Sequence, residues 1–173
     1  MPVRRLQKTA APSDRVAKKE KPMTVVVLAF LQNPWFRKGI SQRHVDMYRE
    51  NPDFHRRLLA MSNTGRALIR ALGEKLYARI IWDNANPRHG NERSAQFPPD
   101  SIHMAHQVAL HDPHVVLLFG KQAIAGWDVV MSFKDLEGLK IGRVVLRSAH
   151  PMARGSATDH LREIATDVKR LVK

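Results

Sequence analysis

The feature that most constrains this chain is a run at 24–31, Thr-Val-Val-Val-Leu-Ala-Phe-Leu, with no polar residue after its threonine and no alternation. A strand that faces water on one side alternates apolar and polar residues. A strand covered on both sides does not, and this is the ordinary condition of a parallel sheet. Related runs stand at 78–82, at 114–119 (His-Val-Val-Leu-Leu-Phe, closed by Gly120) and at 143–146. Between them the pattern turns helical. Short helices are expected at 41–50 and 53–61, and 64–75 sets Leu68, Ile69, Leu72 and then Leu76 along one face. Further helices are expected at 99–110, briefly from Lys121, and at 156–172, where Leu161, Ile164, Val168 and Leu171 recur at helical spacing; 127–140 is ambiguous, with Gly138 marking a turn. Strands alternating with helices predict a three-layer α/β/α sandwich around a central, mostly parallel sheet of about four strands. A length of 173 residues supports one such domain, over 23–173, and excludes a two-domain enzyme.

Residues 1–22 are different in kind. They carry seven Lys and Arg against two Asp and Glu, three prolines and almost no large apolar side chain. Such a segment buries too little surface to offset the entropy of ordering it, so a flexible basic arm is expected. The whole chain has 29 Lys and Arg against 16 Asp and Glu, a formal charge of +13. That surplus points to a polyanionic partner, most simply nucleic acid. The longest apolar stretch ends at Gln32-Asn33-Pro34 and is far short of the roughly 20 residues a bilayer requires, so no membrane partner is expected. The basic start also lacks the apolar core of a secretion signal. The expectation is a cytoplasmic monomer, nucleoid-associated or phage-encoded. With no cysteine there is no disulfide, thiolate nucleophile, cysteine-held zinc or iron–sulfur cluster, and no cofactor is expected.

Open α/β sheets bind ligands at the carboxyl ends of their strands. Those ends here read Gln32-Asn33-Pro34-Trp35-Phe36, Asp83-Asn84-Ala85-Asn86-Pro87-Arg88, Gly120-Lys121-Gln122 and Ser148-Ala149-His150-Pro151-Met152-Ala153-Arg154-Gly155. Amides, a histidine, arginines and loop-stiffening prolines thus gather at one edge. Gly120-Lys121 lacks the flanking glycine and hydroxyl of a nucleotide loop. His103, His106, His111 and His114 suggest a metal only weakly, because Asp112-Pro113 separates the pairs; no metal site is expected, and a solvated helix face is the reading.

In order and placement these strand ends resemble the uracil-DNA glycosylase superfamily over roughly residues 24–172. Leu31-Gln32-Asn33-Pro34-Trp35 stands where that family has its first motif, Asn84 where it has a base-reading asparagine, and Val144 through His150-Pro151 to Arg154 where it has its histidine-proline motif. The branch found in thermophiles is the most similar in the 83–93 segment, although the cysteines of the cluster-bearing relatives are absent. Leu31 replaces the usual glycine, Trp35 the usual tyrosine or glycine, and Ser62-Asn63-Thr64-Gly65-Arg66 the segment with the stacking aromatic.

The resemblance implies a DNA glycosylase that flips out and excises a uracil-type or modified pyrimidine. In it Asn33 would orient water and His150 would stabilise the leaving base, as the catalytic pair. Gln32, Pro34, Trp35, Asn63 and Asn84 would contact the base, with Asn84 reading its edge and Trp35 shaping the C5 side. Met152 would wedge between base steps, while Arg37, Lys38, Arg88, Lys121 and Arg154 would meet DNA. Two alternatives stay open: a base-exchange or hypermodified-base enzyme of phage or anti-phage biology on the same fold, and a non-catalytic DNA-binding module. Asn63 and Thr64 also have a plainer reading as caps of the helix that follows.

Overall fold

The computed structural model describes residues 24–31, 51–88, 97–133, 143–153 and 157–173. Among these the chain runs β1 (Val27–Leu31), α1 (Pro52–Met61), α2 (Asn63–Leu72), α3 (Glu74–Arg79), β2 (Ile81–Asn84), α4 (Ser101–His111), β3 (Val115–Phe119), α5 (Lys121–Ser132), β4 (Val144–Ser148) and α6 (Ala157–Leu171). The four strands form one sheet in the order β2-β1-β3-β4, and every pairing is parallel. The three-layer α/β/α architecture follows from how its two faces are covered.

The pleat sends alternate side chains of each strand to opposite faces. Val27, Ala29 and Leu31 of β1, Trp82 of β2 and Val115, Leu117 and Phe119 of β3 pack on Leu68 and Leu72 of α2, Leu76 and Tyr77 of α3, and Leu161, Ile164 and Val168 of α6. On the other face Leu28, Phe30, Val116 and Leu118 meet Met104 and Val108 of α4 and Trp127 and Val130 of α5. Every residue of β1 and β3 is buried, which is why their sequence does not alternate. Among the described residues β4 is an edge strand, and it is only partly covered. It carries Arg147, paired with Asp128 of α5 at 2.7 Å, a charge of the kind that discourages further strands from adding to an edge.

The largest departures from the expected element boundaries lie between residues 64 and 84. The helix expected over 64–75 is two helices, because Gly73 adopts a φ of +84° and its N–H donates to the Ile69 carbonyl at 2.8 Å, closing α2. α3 then occupies residues assigned to the second strand, since Leu76 and Tyr77 bury against the sheet as a helical pair. Consequently β2 starts at Ile81 rather than at 78 and runs on through Asp83 and Asn84, expected as loop. The Trp82 indole N–H donates to the Tyr77 carbonyl at 3.0 Å, and its ring lies 6.2 Å from that of Phe119, which holds this joint. In the ambiguous 127–140 stretch, helix continues from Lys121 as far as Ser132. The expected helix at 41–50 and the arm at 1–22 lie outside the described residues. No helix among the described residues is long and apolar enough to cross a membrane.

Candidate active site at the carboxyl edge of the sheet

The last residues of the four strands form a single row across the sheet. Leu31 pairs with Asn84 on one side and with Phe119 on the other, and Phe119 pairs with Ser148. At a strand spacing of roughly 4.8 Å, Asn84 and Ser148 stand about 14 Å apart at its two ends. The chain departs from the row in opposite directions at β1 and β3, which makes the crevice between them the topological switch point where such sheets take ligands.

At the β2 end Asn84 is buried, 6% exposed. Its N–H donates to Asp83 Oδ1 at 2.7 Å, and Asp83 Oδ2 lies 3.0 Å from His103 Nε2. Burial alone would lower the His103 pKa, but the hydrogen bond to Asp83 and its charge, with the charge of Asp100 and the Asn84 backbone, outweigh it and raise the pKa. The residues that follow are pinned as closely. The Ala85 N–H donates to the Leu31 carbonyl and the Asp100 N–H to the Ala85 carbonyl, both at 2.7 Å. Asn86 Nδ2 donates to the Pro98 carbonyl at 2.6 Å, and its Oδ1 accepts from the Arg88 N–H at 2.8 Å. Asp100 also caps α4, accepting from the His103 N–H at 3.0 Å. From the other helical layer His55 of α1 comes within electrostatic reach of Asp83; burial pushes its pKa down to about 4 against the pull of that carboxylate.

At the β4 end the Gly120 N–H donates to the Ser148 carbonyl at 2.9 Å. Gly120 has a φ of +92°, and a Cβ there would stand 3.3 Å from the His150 Cβ and 3.7 Å from its Cδ2. Glycine is therefore required twice over, by its backbone and by the approach of the histidine. The Met152 N–H donates to His150 Nδ1 at 3.2 Å, and the Ala153 N–H donates to the His150 carbonyl at 2.8 Å. With Nδ1 accepting, the proton of a neutral imidazole sits on Nε2. Burial lowers the His150 pKa and so favours that neutral form. Ser148, 4% exposed, has a buried hydroxyl with no hydrogen-bond partner among the described residues.

The structure thus brings Asn84 and His150 to the same edge, with Met152 exposed beside His150 and Lys121 exposed as the first residue of α5. Arg88 lies exposed after β2, its guanidinium 5.6 Å from the centre of the Phe97 ring. Asn63 is set apart from these. It is the first residue of α2, exposed, with Oδ1 accepting from Arg66; the side chain that caps this helix is that of Ser62. Gln32, Asn33, Pro34, Trp35, Arg37, Lys38 and Arg154 lie outside the described residues. The expectation of a solvated histidine face is corrected at two positions. His103 is held by Asp83, and His114 Nδ1 accepts from the Val26 N–H at 3.1 Å, because both face elements distant in sequence. Among the described residues no group of three or more His, Asp or Glu is placed to hold a metal ion.

Sequence reasoning missed Asp83 as a ligand of the Asn84 backbone, along with His103, His55, Ser148 and the contact of Gly120 with His150. Only Gly120 had a sequence signal, a glycine between a buried strand and a helix. In comparisons with known proteins, no family model and no curated sequence matches this chain.

Proposed function

We propose that the protein is a DNA glycosylase that flips a uracil-type or modified pyrimidine out of the helix and hydrolyses its N-glycosidic bond. The observation that carries this reading is His150: a partly buried imidazole at a strand's carboxyl end, its Nδ1 engaged by the Met152 N–H and its pKa lowered by burial. A neutral imidazole with its proton on Nε2 is a hydrogen-bond donor that needs no charge of its own. Breaking the bond between base and sugar leaves negative charge on the departing pyrimidine and an oxocarbenium-like sugar. A fixed donor in a water-poor site stabilises that anion without reorganising.

In this reading Nε2–H of His150 donates to the pyrimidine O2 as charge develops there. The side-chain amide of Asn84, whose backbone is held by the bonded network of Asp83 and His103, offers one donor and one acceptor to a base edge. Asn33 orients the attacking water through its carbonyl oxygen, since an amide cannot take a proton as a carboxylate would. Gln32, Pro34 and Trp35 complete the base contacts, Trp35 beside C5. Extruding a base costs a few kcal/mol, which Met152 helps to meet by inserting between steps. Arg37, Lys38, Arg88, Lys121 and Arg154 contact phosphates.

The test is incubation of the purified chain with duplex and single-stranded DNA carrying uracil, 5-substituted pyrimidines, hypoxanthine or glycosylated bases, with mass analysis of the products. Free base together with an abasic strand is the expected result. An intact strand bearing a new base would indicate exchange instead of hydrolysis. Release of no base from any substrate, with salt-sensitive DNA binding retained, would reduce the protein to a binding module.

A further inference from the structure

The formal charge is divided unequally between the two helical layers. Residues 51–80, which contain α1, α2 and α3, carry six Lys and Arg against two Asp and Glu, and residues 157–173 carry four against three. Residues 97–133, which contain α4 and α5, carry one against three. Since α1–α3 and α6 cover one face of the sheet and α4 and α5 the other, the sheet separates a basic layer from a slightly acidic one.

On the basic layer lies a cavity of about 480 Å³ between α2 and α6, next to the turn that bears His150. Arg70 of α2 stands on one wall and Arg162 and Thr158 of α6 on the other, while Leu161, Pro151 and Met152 supply apolar surface. Arg70 is exposed and engaged by no ion pair among the described residues. Arg162 pairs with Asp159 of its own helix at 3.5 Å, but both side chains are largely exposed, and such pairs contribute little and yield readily to a stronger anion. Beside the cleft Lys169 Nζ donates to the Ala71 carbonyl at 3.1 Å, joining α6 to α2 and adding a third cation.

We infer that this cleft binds the phosphodiester backbone of DNA next to the base addressed by His150. Two guanidinium groups on facing walls suit charges in series, as a nucleic-acid strand presents them, and Arg is the side chain best matched to phosphate oxygens. The apolar surface between them accepts deoxyribose. A strand leaving the His150 turn passes directly over Met152, which is 49% exposed and shared by both sites. The assignment rests on the DNA substrate proposed above; it does not require that a base be excised.

The experiment measures binding of the full chain to a labelled duplex across a salt series, with base release followed on the same samples. Arg70→Ala/Arg162→Ala is expected to lower affinity about tenfold or more at low salt. It should also reduce the slope of log K against log salt by about 2, since each lost phosphate contact removes about 0.9. The double lysine variant should keep the slope. Lys75→Ala/Arg79→Ala removes the same charge from exposed positions leading into the amino end of β2, and should change affinity less than twofold. An equal loss in that control would overturn the cleft in favour of general charge, as would an unchanged slope in the arginine variant. Displacement from the cleft by polyglutamate but not by DNA would assign it to an acidic peptide and equally overturn the proposal. Melting curves establish that all variants fold. If the arginine variant loses binding while the native chain releases no base, the cleft stands and the excision reading falls. Base release at unchanged kcat/KM and slope in that variant does the reverse.

Discussion

The two ends of the strand-end row are built in opposite ways. At β2 the backbone and side chains after the strand are tied into a continuous network: Asn84 to Asp83, Asp83 to His103, His103 to Asp100, Asp100 to Ala85, and Ala85 to Leu31. At β4 a turn closed by two hydrogen bonds to His150 carries an exposed Met152, and the Ser148 hydroxyl before it has no partner among the described residues. A network of satisfied polar groups specifies one geometry, as a base-reading group requires. The β4 end instead presents a histidine on a short turn, the group that in the proposed reaction would meet the departing base.

The comparison breaks first at His150. Its replacement by Ala should lower single-turnover base release by about 10²- to 10³-fold, the usual cost of losing one fixed donor to a developing anion, with the urea midpoint barely moved. Equal rates in the two proteins would remove His150 from the chemistry.

At the β2 end the larger effects should fall on stability. His55 titrates at about 4 when folded, against about 6.5 in an unfolded chain. Its contribution is therefore complete above pH 6.5 and is lost as pH falls toward 4, roughly 3 kcal/mol in all. His55→Leu should flatten urea-midpoint curves over that window. His103 has the opposite sign: its raised pKa makes its contribution complete below pH 6.5 and lost as pH rises through the folded value.

Asp83→Ala removes the acceptor of the Asn84 N–H and the partner of His103 together, and is expected to cost about 2 kcal/mol by urea unfolding. In base release it should raise KM more than it lowers kcat, because in the proposed reaction Asn84 would read the base without taking part in bond breaking. A cost below about 0.5 kcal/mol would show that the network does not hold the strand end. The smallest effect is expected at Ser148, where Ala removes a buried hydroxyl that makes no hydrogen bond among the described residues. The change should be neutral or stabilising by up to about 1 kcal/mol in thermal melts, and a clear loss would mean the hydroxyl has a partner in solution.

Much of this fold was legible in the residue pattern. The non-alternating runs at 24–31 and 114–119 announced strands covered on both faces, and all four expected strands exist with helices between them. Less legible was where a run begins and ends. Ala78 and Arg79 belong to a helix because Leu76 and Tyr77 bury together, an outcome that depends on the sheet they meet. Of the candidate site, Asn84, His150, Met152, Arg88 and Lys121 were singled out from their positions at strand ends, and the structure puts Asn84 last in β2, Arg88 after it, Lys121 after β3, and His150 and Met152 after β4. His103 was misread because nothing local distinguishes it from His106: one faces Asp83 across twenty residues of sequence, the other faces water. Ser148 carried no signal, since only packing decides whether a strand-end hydroxyl meets a partner.

What the amino-acid sequence determined by itself is the class of fold, the net positive charge and the set of polar residues that follow the strands. These depend on periodicity and composition, which act over a few neighbouring residues. The tertiary structure decided which of those residues share a row, how closely Gly120 approaches His150, and that the helices α1–α3 and the arginines of the cleft lie on the sheet face opposite α4 and α5. Those depend on contacts between residues far apart in the chain, made only when the helices close over both faces of the sheet.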